Sequence, residues 1–359
     1  MIGSCAISSQ YRPLQLQLQL PPRPIIGPRL ATYGVVQPIA RQLGLAQLGT
    51  LHERIGDTLT TAYPEGQGSV RSAWGRFFGQ QIDNRYRAFA DPRADGQLLG
   101  VQAGLDLWRG GLIPGHRDVI GAYFAYGNGD LGVNGLVTNL AATAYELRRT
   151  GSVNLHAYSG GGYWTHYGPG GWYLDAVLQG TGYDGTATAQ FPNIGVSSKL
   201  PTGGSGILAS LEGGFPVPLA LGPNFILEPQ AQILWQHVSL DAANDGVGNI
   251  ALGSTSGTTG RLGLRAQWTI LGENGLLWQP YGRANLWHDW GGAAQTGFGG
   301  GAIGVALIAH ATRVEFAGGV SLKIDPGVSL YAQAGYQFAT DSNVRRDGVK
   351  GDIGLRVTW

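Results

Sequence analysis

The chain has 359 residues, 43% hydrophobic but only 13% charged, with a formal net charge of +1, one cysteine and 61 glycines, where about 25 glycines would be usual for this length. Near-neutral charge without a dense Lys/Arg stripe gives no grip on nucleic acid. Cys5 alone cannot build a disulfide framework, and His52, His116, His156, His166, His237, His288 and His310 lack metal-ligand spacing, so neither metal nor cofactor is expected.

The first residues, MIGSCAISSQYRP, carry neither the basic start nor the apolar core of a secretory signal, so for an exported protein a leader is expected upstream of Met1. LQLQLQL (Leu14 to Leu20) alternates like a short strand with one leucine face, and PPRPIIGP is a proline-stiffened spacer. Residues 1–34 therefore read as an extended remnant of a linker or of a preceding region. Residues 35–56, VVQPIARQLGLAQLGTLHERIG, read as one helix, with Pro38 in the first turn and Gly56 as C-terminal cap. About nineteen helical residues make a rod of ~28 Å, close to the ~30 Å of bilayer hydrocarbon. Arg41, Gln42 and Arg54 recur round its circumference with Gln37, Gln47, His52 and Glu53, so it cannot face lipid.

From residue 68 to 359 the chain is a succession of period-2 segments separated by Gly, Pro, Asn and Asp. About twelve are recognisable, at 70–87, 94–109, 116–127, 152–167, 171–187, 204–216, 224–239, 255–271, 277–290, 311–324, 327–340 and 348–359. No run of about 18 apolar residues exists for a helical membrane span, but these segments exceed the ~9–11 residues that a tilted strand needs to cross a bilayer. Tight connections (HYGPGG, KIDPG) alternate with long ones around 128–151, 188–203, 240–254 and 291–310, as in outer-membrane barrels. One face of each segment is apolar and nearly free of charge; in 261–270 it holds Leu262, Leu264, Ala266, Trp268 and Ile270. The other face carries Asp106, Asp175, Glu212, Glu228, Arg261, Arg265, Arg283, Arg313, Glu315, Lys323 and Arg356 among glycines, which suits a narrow wet lumen. Trp and Tyr gather near segment ends, like interfacial girdles. The expected fold is all-β: a transmembrane antiparallel barrel of about twelve strands, its N-terminal α-helix inside the pore, helix glutamines and arginines meeting lumenal acids such as Asp106, Asp175 or Glu228.

ARQLGLAQLGTLHERIGD (Ala40 to Asp57), SAWGRFFGQ (Ser72 to Gln80), GGWYLDAVLQG (Gly170 to Gly180), PYGRANLWHDW (Pro280 to Trp290), SLYAQAGYQF (Ser329 to Phe338) and GDIGLRVTW (Gly351 to Trp359) resemble the C-terminal translocator domain of pertactin-like autotransporters over about residues 33–359. The resemblance implies a twelve-stranded barrel in the outer membrane of a Gram-negative bacterium, with a helix in its pore, which secretes an N-terminal passenger (type V secretion). Its partners would be outer-membrane lipid, the barrel-assembly machinery and its own passenger, and the barrel would be monomeric. In such barrels the last strand carries an assembly signal, whose positions fall here on Asp352, Gly354, Val357 and Trp359. Some members of that family cut their passenger between two asparagines inside the pore; no Asn-Asn pair occurs in 35–70, so the sequence carries no such signal there.

Enzymatic readings find little support. GGGAIG (Gly299 to Gly304) matches a dinucleotide fingerprint in letters only, since no strand–helix unit surrounds it. GSTSG (253–257) has Thr255 where a nucleophile elbow needs serine. An outer-membrane esterase or phospholipase would have to assemble dispersed groups such as His156, Ser159 and Asp175. A passive porin-like channel shares the barrel and differs in needing an open lumen.

Overall fold

The computed structural model describes residues 24–56 and 72–359, apart from residues 192–194, 223, 274, 302, 326 and 343; the leucine–glutamine repeat at 14–20 lies outside them. Twelve strands form the wall: β1 Ser72–Arg85, β2 Arg93–Gly110, β3 Arg117–Thr138, β4 Tyr145–Tyr167, β5 Tyr173–Phe191, β6 Gly204–Gly214, β7 Ile226–Asn244, β8 Asn249–Gln267, β9 Leu277–Gly291, β10 Thr312–Asp325, β11 Val328–Ala339 and β12 Arg345–Thr358. Each pairs antiparallel with its sequence neighbour. β12 returns to β1 over Ser72↔Thr358 to Arg85↔Arg345, so the sheet closes. Closure removes every edge along the wall, and with it the unpaired N–H and C=O groups that hydrocarbon could not satisfy.

The alternation read from the sequence is the pleat of this wall. Along β7, Glu228, Gln230, Gln232, Leu234 and Gln236 are buried inside, while Ile233 and Trp235 are exposed outside. Outward-facing Phe77, Leu105, Phe124, Leu178, Leu262, Phe316 and Ile353, each 51–67% exposed, belong to a continuous apolar belt. Such a belt is stable only against lipid.

Two strands differ from expectation. β3 and β4 run to 22 and 23 residues and take up most of 128–151, which the sequence suggests as a loop. The pattern inverts there: Leu131 and Val133 point inward and are buried, whereas Asp130 faces out. Beyond the lipid the outer face meets water and the inner face meets protein, so the polarity of each face changes while the period does not. The 291–310 segment is likewise ordered, as a hairpin of Ala294–Phe298 and Ile303–Ile308 whose second arm pairs with Arg87–Ala88 across the long-loop mouth.

The lumen therefore has two zones. Towards the short turns polar and charged side chains are interleaved with a smaller apolar cluster that includes Trp74, Tyr123, Tyr163 and Leu234; towards the long loops Ile82, Leu98, Leu131, Val153, Leu155, Val238, Leu240 and Leu252 form an aliphatic core. The expected polar inner face holds for the first zone alone. Neighbouring Leu98 and Leu99 point to opposite sides, buried completely and 50% exposed respectively. Leu98→Ala is expected to destabilise the barrel by about 2–4 kcal/mol and Leu99→Ala by less than about 1 kcal/mol, read from the denaturation midpoint of the detergent-purified, heat-modifiable form.

Candidate functional site

The lumen is filled by three consecutive helical segments, α1 Pro28–Gly34, α2 Val36–Leu48 and α3 Leu51–Ile55. Pro28 occupies the first turn of α1, a position whose N–H has no intrahelical partner anyway. The sequence suggests one helix over 35–56; helical structure in fact begins at Pro28 and is interrupted at Gly49 (φ +64°). A side chain at Gly49 would collide with the Arg76 guanidinium. Thr50 restarts the helix through a capping box, accepting from the Glu53 N–H (3.3 Å) while its own N–H donates to the Glu53 carboxylate (2.9 Å). Gly56 (φ +75°) ends α3, donating to the His52 carbonyl.

Near the long-loop rim the helix is latched to the β7–β8 turn. The Tyr33 hydroxyl donates to Asp245 (2.9 Å), Arg29 pairs with the same carboxylate (3.2 Å), and Ile26 exchanges hydrogen bonds with Thr138 at the tip of β3. Below this, Val36, Ile39, Ala40 and Leu43 enter the aliphatic core. Helix and wall also exchange hydrogen bonds there: Tyr183 donates to the Ala40 carbonyl (3.1 Å), Gln236 to that of Arg41 (3.3 Å) and the helix amide of Gln47 to the Ala157 carbonyl of the wall (2.9 Å). Gln42 accepts from Asn84 (2.8 Å) and Arg346 (3.2 Å). Arg41 does not reach Asp106, Asp175 or Glu228; it lies higher, where its guanidinium rests against Gly292 and leaves no room for a Cβ there.

Around α3 the contacts are ionic. Arg54 pairs with Asp175, and His52 Nε2 meets Glu228 at 2.8 Å. Glu53 is a hub, accepting from Arg283 (2.7 Å), Lys350 (3.0 Å) and Gln333 (3.0 Å). Glu212 accepts from the Leu51 N–H (3.1 Å) and pairs with Arg261 (3.0 Å). Arg283 and Lys350 also hold Glu315; Asp106 is held by Arg109 and Arg356; Arg313 pairs with Asp289 (2.7 Å); and Arg265 lies over the Tyr281 ring, 4.2 Å from its centroid. Lys323 shares the inner face but is half-buried, close to the short-turn rim. A cavity of about 90 Å³ separates the helix from β1, β9, β10 and β12 beside Glu53, Arg76 and Asp352, enough for several waters.

Arg76, Asp289, Arg346 and Lys350 are lumenal charges not singled out from the sequence, although strand parity places them on the inner face; in the sequence Glu53 reads only as one polar residue of the helix, not as a hub. At the last strand, Asp352 accepts from Gln333 (2.6 Å), and the ring of Tyr331 fills the space that a Cβ at Gly354 would need. Val357 is half-buried and Trp359 is 61% exposed at the end of the wall. The dispersed hydrolase set does not assemble. Ser159 points inward and bonds Gln47 and Thr181, His156 is on the outer face of the same strand, and Asp175 is tied to Arg54.

A family model described as autotransporter beta-domain matches residues 73–335. The BrkA autotransporter of Bordetella pertussis is 30% identical over 312 residues, which is 84% of this chain and 27% of that protein. A pertactin autotransporter of Bordetella bronchiseptica is 30% identical over 302 residues, 83% of this chain and 30% of that protein. The chain spans less than a third of the length of either relative. The crystal structure of the transport unit of the autotransporter AIDA-I from Escherichia coli superposes with a TM-score of 0.67 at 17% identity, over 93% of this chain and 100% of that one.

Glu53→Ala would leave Arg283 and Lys350 short of a counter-charge and is expected to cost about 3 kcal/mol, whereas Arg148→Ala, which breaks an exposed pair with Glu146, should cost under about 1 kcal/mol; midpoints of thermal denaturation compare the two. For Asp245, in the turn outside the wall, burial acts to raise the carboxyl pKa, but the N–H groups of Val247 and Gly248, the Tyr33 hydroxyl and Arg29 outweigh it and hold it below the usual carboxylate range. Its latch is therefore present at neutral pH and is lost as pH falls through that depressed value. Acid titration should open the region around Pro28 to an acid-active protease, and Asp245→Asn should abolish the acid-side change.

Proposed function

Because the chain belongs to the autotransporter beta-domain family, whose members are outer-membrane translocator barrels, we propose that it exports a polypeptide joined to its N-terminal side and then retains the end of that polypeptide in the pore as a plug. The observation that carries this reading is the direction of the helix. α1 starts at the long-loop rim beside the β7–β8 turn, and α3 ends among the charged groups of the short-turn rim, from which β1 departs. Barrels of this class keep short turns in the periplasm and long loops outside, so the described chain would enter the pore at Pro24 from the outer side. A polypeptide in transit needs its backbone satisfied without lipid, and the charged zone at the periplasmic mouth offers water and polar partners for that.

Asp352, Gly354, Val357 and Trp359 would form the address read by the barrel-assembly machinery. Support comes from the placement of Gly354 under Tyr331 and of Trp359 beyond the last paired residue. A terminal strand is open to β-augmentation until the barrel closes. The inserted barrel would act as a monomer in outer-membrane lipid. The separation of His156 from Ser159 and Asp175 favours a non-enzymatic role for this domain.

Planar-bilayer recordings separate a plugged translocator from a passive channel. The full chain is expected to show low conductance, and removal of residues 1–56 to raise it several-fold. Equal, porin-sized currents from both forms would favour the channel.

A further inference from the structure

Three of the seven histidines share one placement on the outer face of the wall. On β4, β7 and β9 the outward apolar run climbs from the short-turn side, through Trp164 to Tyr158, Leu227 to Trp235 and Trp278 to Leu286, and the next outward residue is His156, His237 or His288. The runs on β7 and β9 have the ~9 residues of one bilayer crossing and that on β4 is shorter by one outward position, so the three rings close the apolar belt on its long-loop side. Each is half-buried against an aromatic neighbour: His156 on Tyr126 (centroids 6.1 Å apart), His237 on Trp235 (6.3 Å) and His288 on Trp290 (4.6 Å).

Their hydrogen bonding is also the same. Nδ1 of His156 meets the Tyr126 hydroxyl (2.9 Å), that of His237 the Ser256 hydroxyl (2.7 Å) and that of His288 the Thr312 hydroxyl (2.8 Å). Asn128 Nδ2, a donor only, also reaches Nδ1 of His156 (3.2 Å), so that nitrogen accepts and the ring proton resides on Nε2. Nε2 has no protein partner in any of the three, among the described residues. The wall thus orients each ring by Nδ1 and leaves Nε2 facing outward where the apolar run ends, with the N–H donor fixed there for His156 by Asn128. The acidic groups nearby are Asp184 opposite His156 and Asp130 one outward position further along, Asp241 above His237, and Asp341, which accepts from the Thr312 N–H beside His288.

We infer that His156, His237 and His288 form a belt that binds the phosphate groups of an outer-leaflet phosphorylated glycolipid through Nε2. The inference rests on the reading that the apolar belt faces lipid, and continuity with that belt selects a lipid headgroup as the occupant. Each ring is held by its aromatic neighbour and its hydroxyl anchor with Nε2 outward, and a phosphate oxygen selects the Nε2–H form, so no side chain has to be ordered on binding.

The full chain is inserted into phosphatidylcholine nanodiscs doped with lipid A or with the same lipid stripped of its phosphates, and retained lipid is counted by native mass spectrometry. Insertion is checked first by heat-modifiability; failure of the wild-type chain to insert would overturn the lipid-facing reading itself. With insertion established, the triple variant His156→Phe/His237→Phe/His288→Phe is expected to retain about tenfold less lipid A. The triple His→Gln variant, which keeps a side-chain N–H, should stay within about twofold of wild type. All three proteins should retain the dephosphorylated lipid equally weakly. Equal lipid A retention by the wild type and the Phe variant, an equal loss in the Gln variant, or undiminished retention of the dephosphorylated lipid would each overturn the belt. Should the triple Phe variant not insert, the three single His→Phe variants carry the comparison, each expected to be about twofold down.

Discussion

Hydrocarbon offers no hydrogen-bond partners, so a chain that crosses it in strands has to pair every backbone group with another strand. That requirement closes β12 onto β1, and closure creates an interior as well as an exterior. A twelve-stranded ring is too wide for its own side chains to fill completely. The helix supplies the missing volume, and most of the sequence-specific chemistry of the protein lies where helix and wall meet.

The meeting is divided by depth. Where the wall stands clear of the membrane, the interior is an ordinary aliphatic core, with Ile39 and Leu43 packed among Leu98, Leu131 and Leu155. Within the membrane the same helix passes into a lattice of paired charges centred on Glu53, Arg54 and Arg283. Aliphatic packing is favourable without directional bonds, whereas buried ion pairs repay their desolvation only when every partner is in place. The charged half therefore specifies the final position of α3, and the aliphatic half supplies affinity for the helix as a whole. Aromatic–glycine fits such as Tyr331 over Gly354, and Tyr163 with Tyr123 over Gly121 and Gly161, let large rings lie flat against the wall and leave room for the helix, which accounts for part of the glycine excess.

Strand count, closure by the last strand and the presence of the helix were legible because a wall between lipid and lumen imposes period 2 on every segment. The extra length of β3 and β4 was hidden by the inversion at Asp130 and Leu131, where an apolar-out template ceases to match. The break at Gly49 was written in the Thr50-x-x-Glu53 spacing, but periodic polarity across it suggested continuity. Partners were the least legible. Arg54 and Asp175 are 121 residues apart, and nothing local fixes the depth at which a helix comes to rest in a pore, which is why Arg41 lies beside Gly292 and away from the acids expected for it. Strand parity, in contrast, would have separated His156 from Ser159 at once.

The contacts at the entrance of α1 bear on how the molecule carries load. Any pull along the polypeptide from the outer side arrives first at Ile26, joined to Thr138, and at Arg29 and Tyr33, clamped on Asp245. These bonds anchor on two separate parts of the outer rim, so tension spreads into rigid sheet before it reaches the aliphatic core or the ion pairs around α3. Force applied to the chain at Ile26 would be met at the collar, with the seal deeper in the barrel shielded from it.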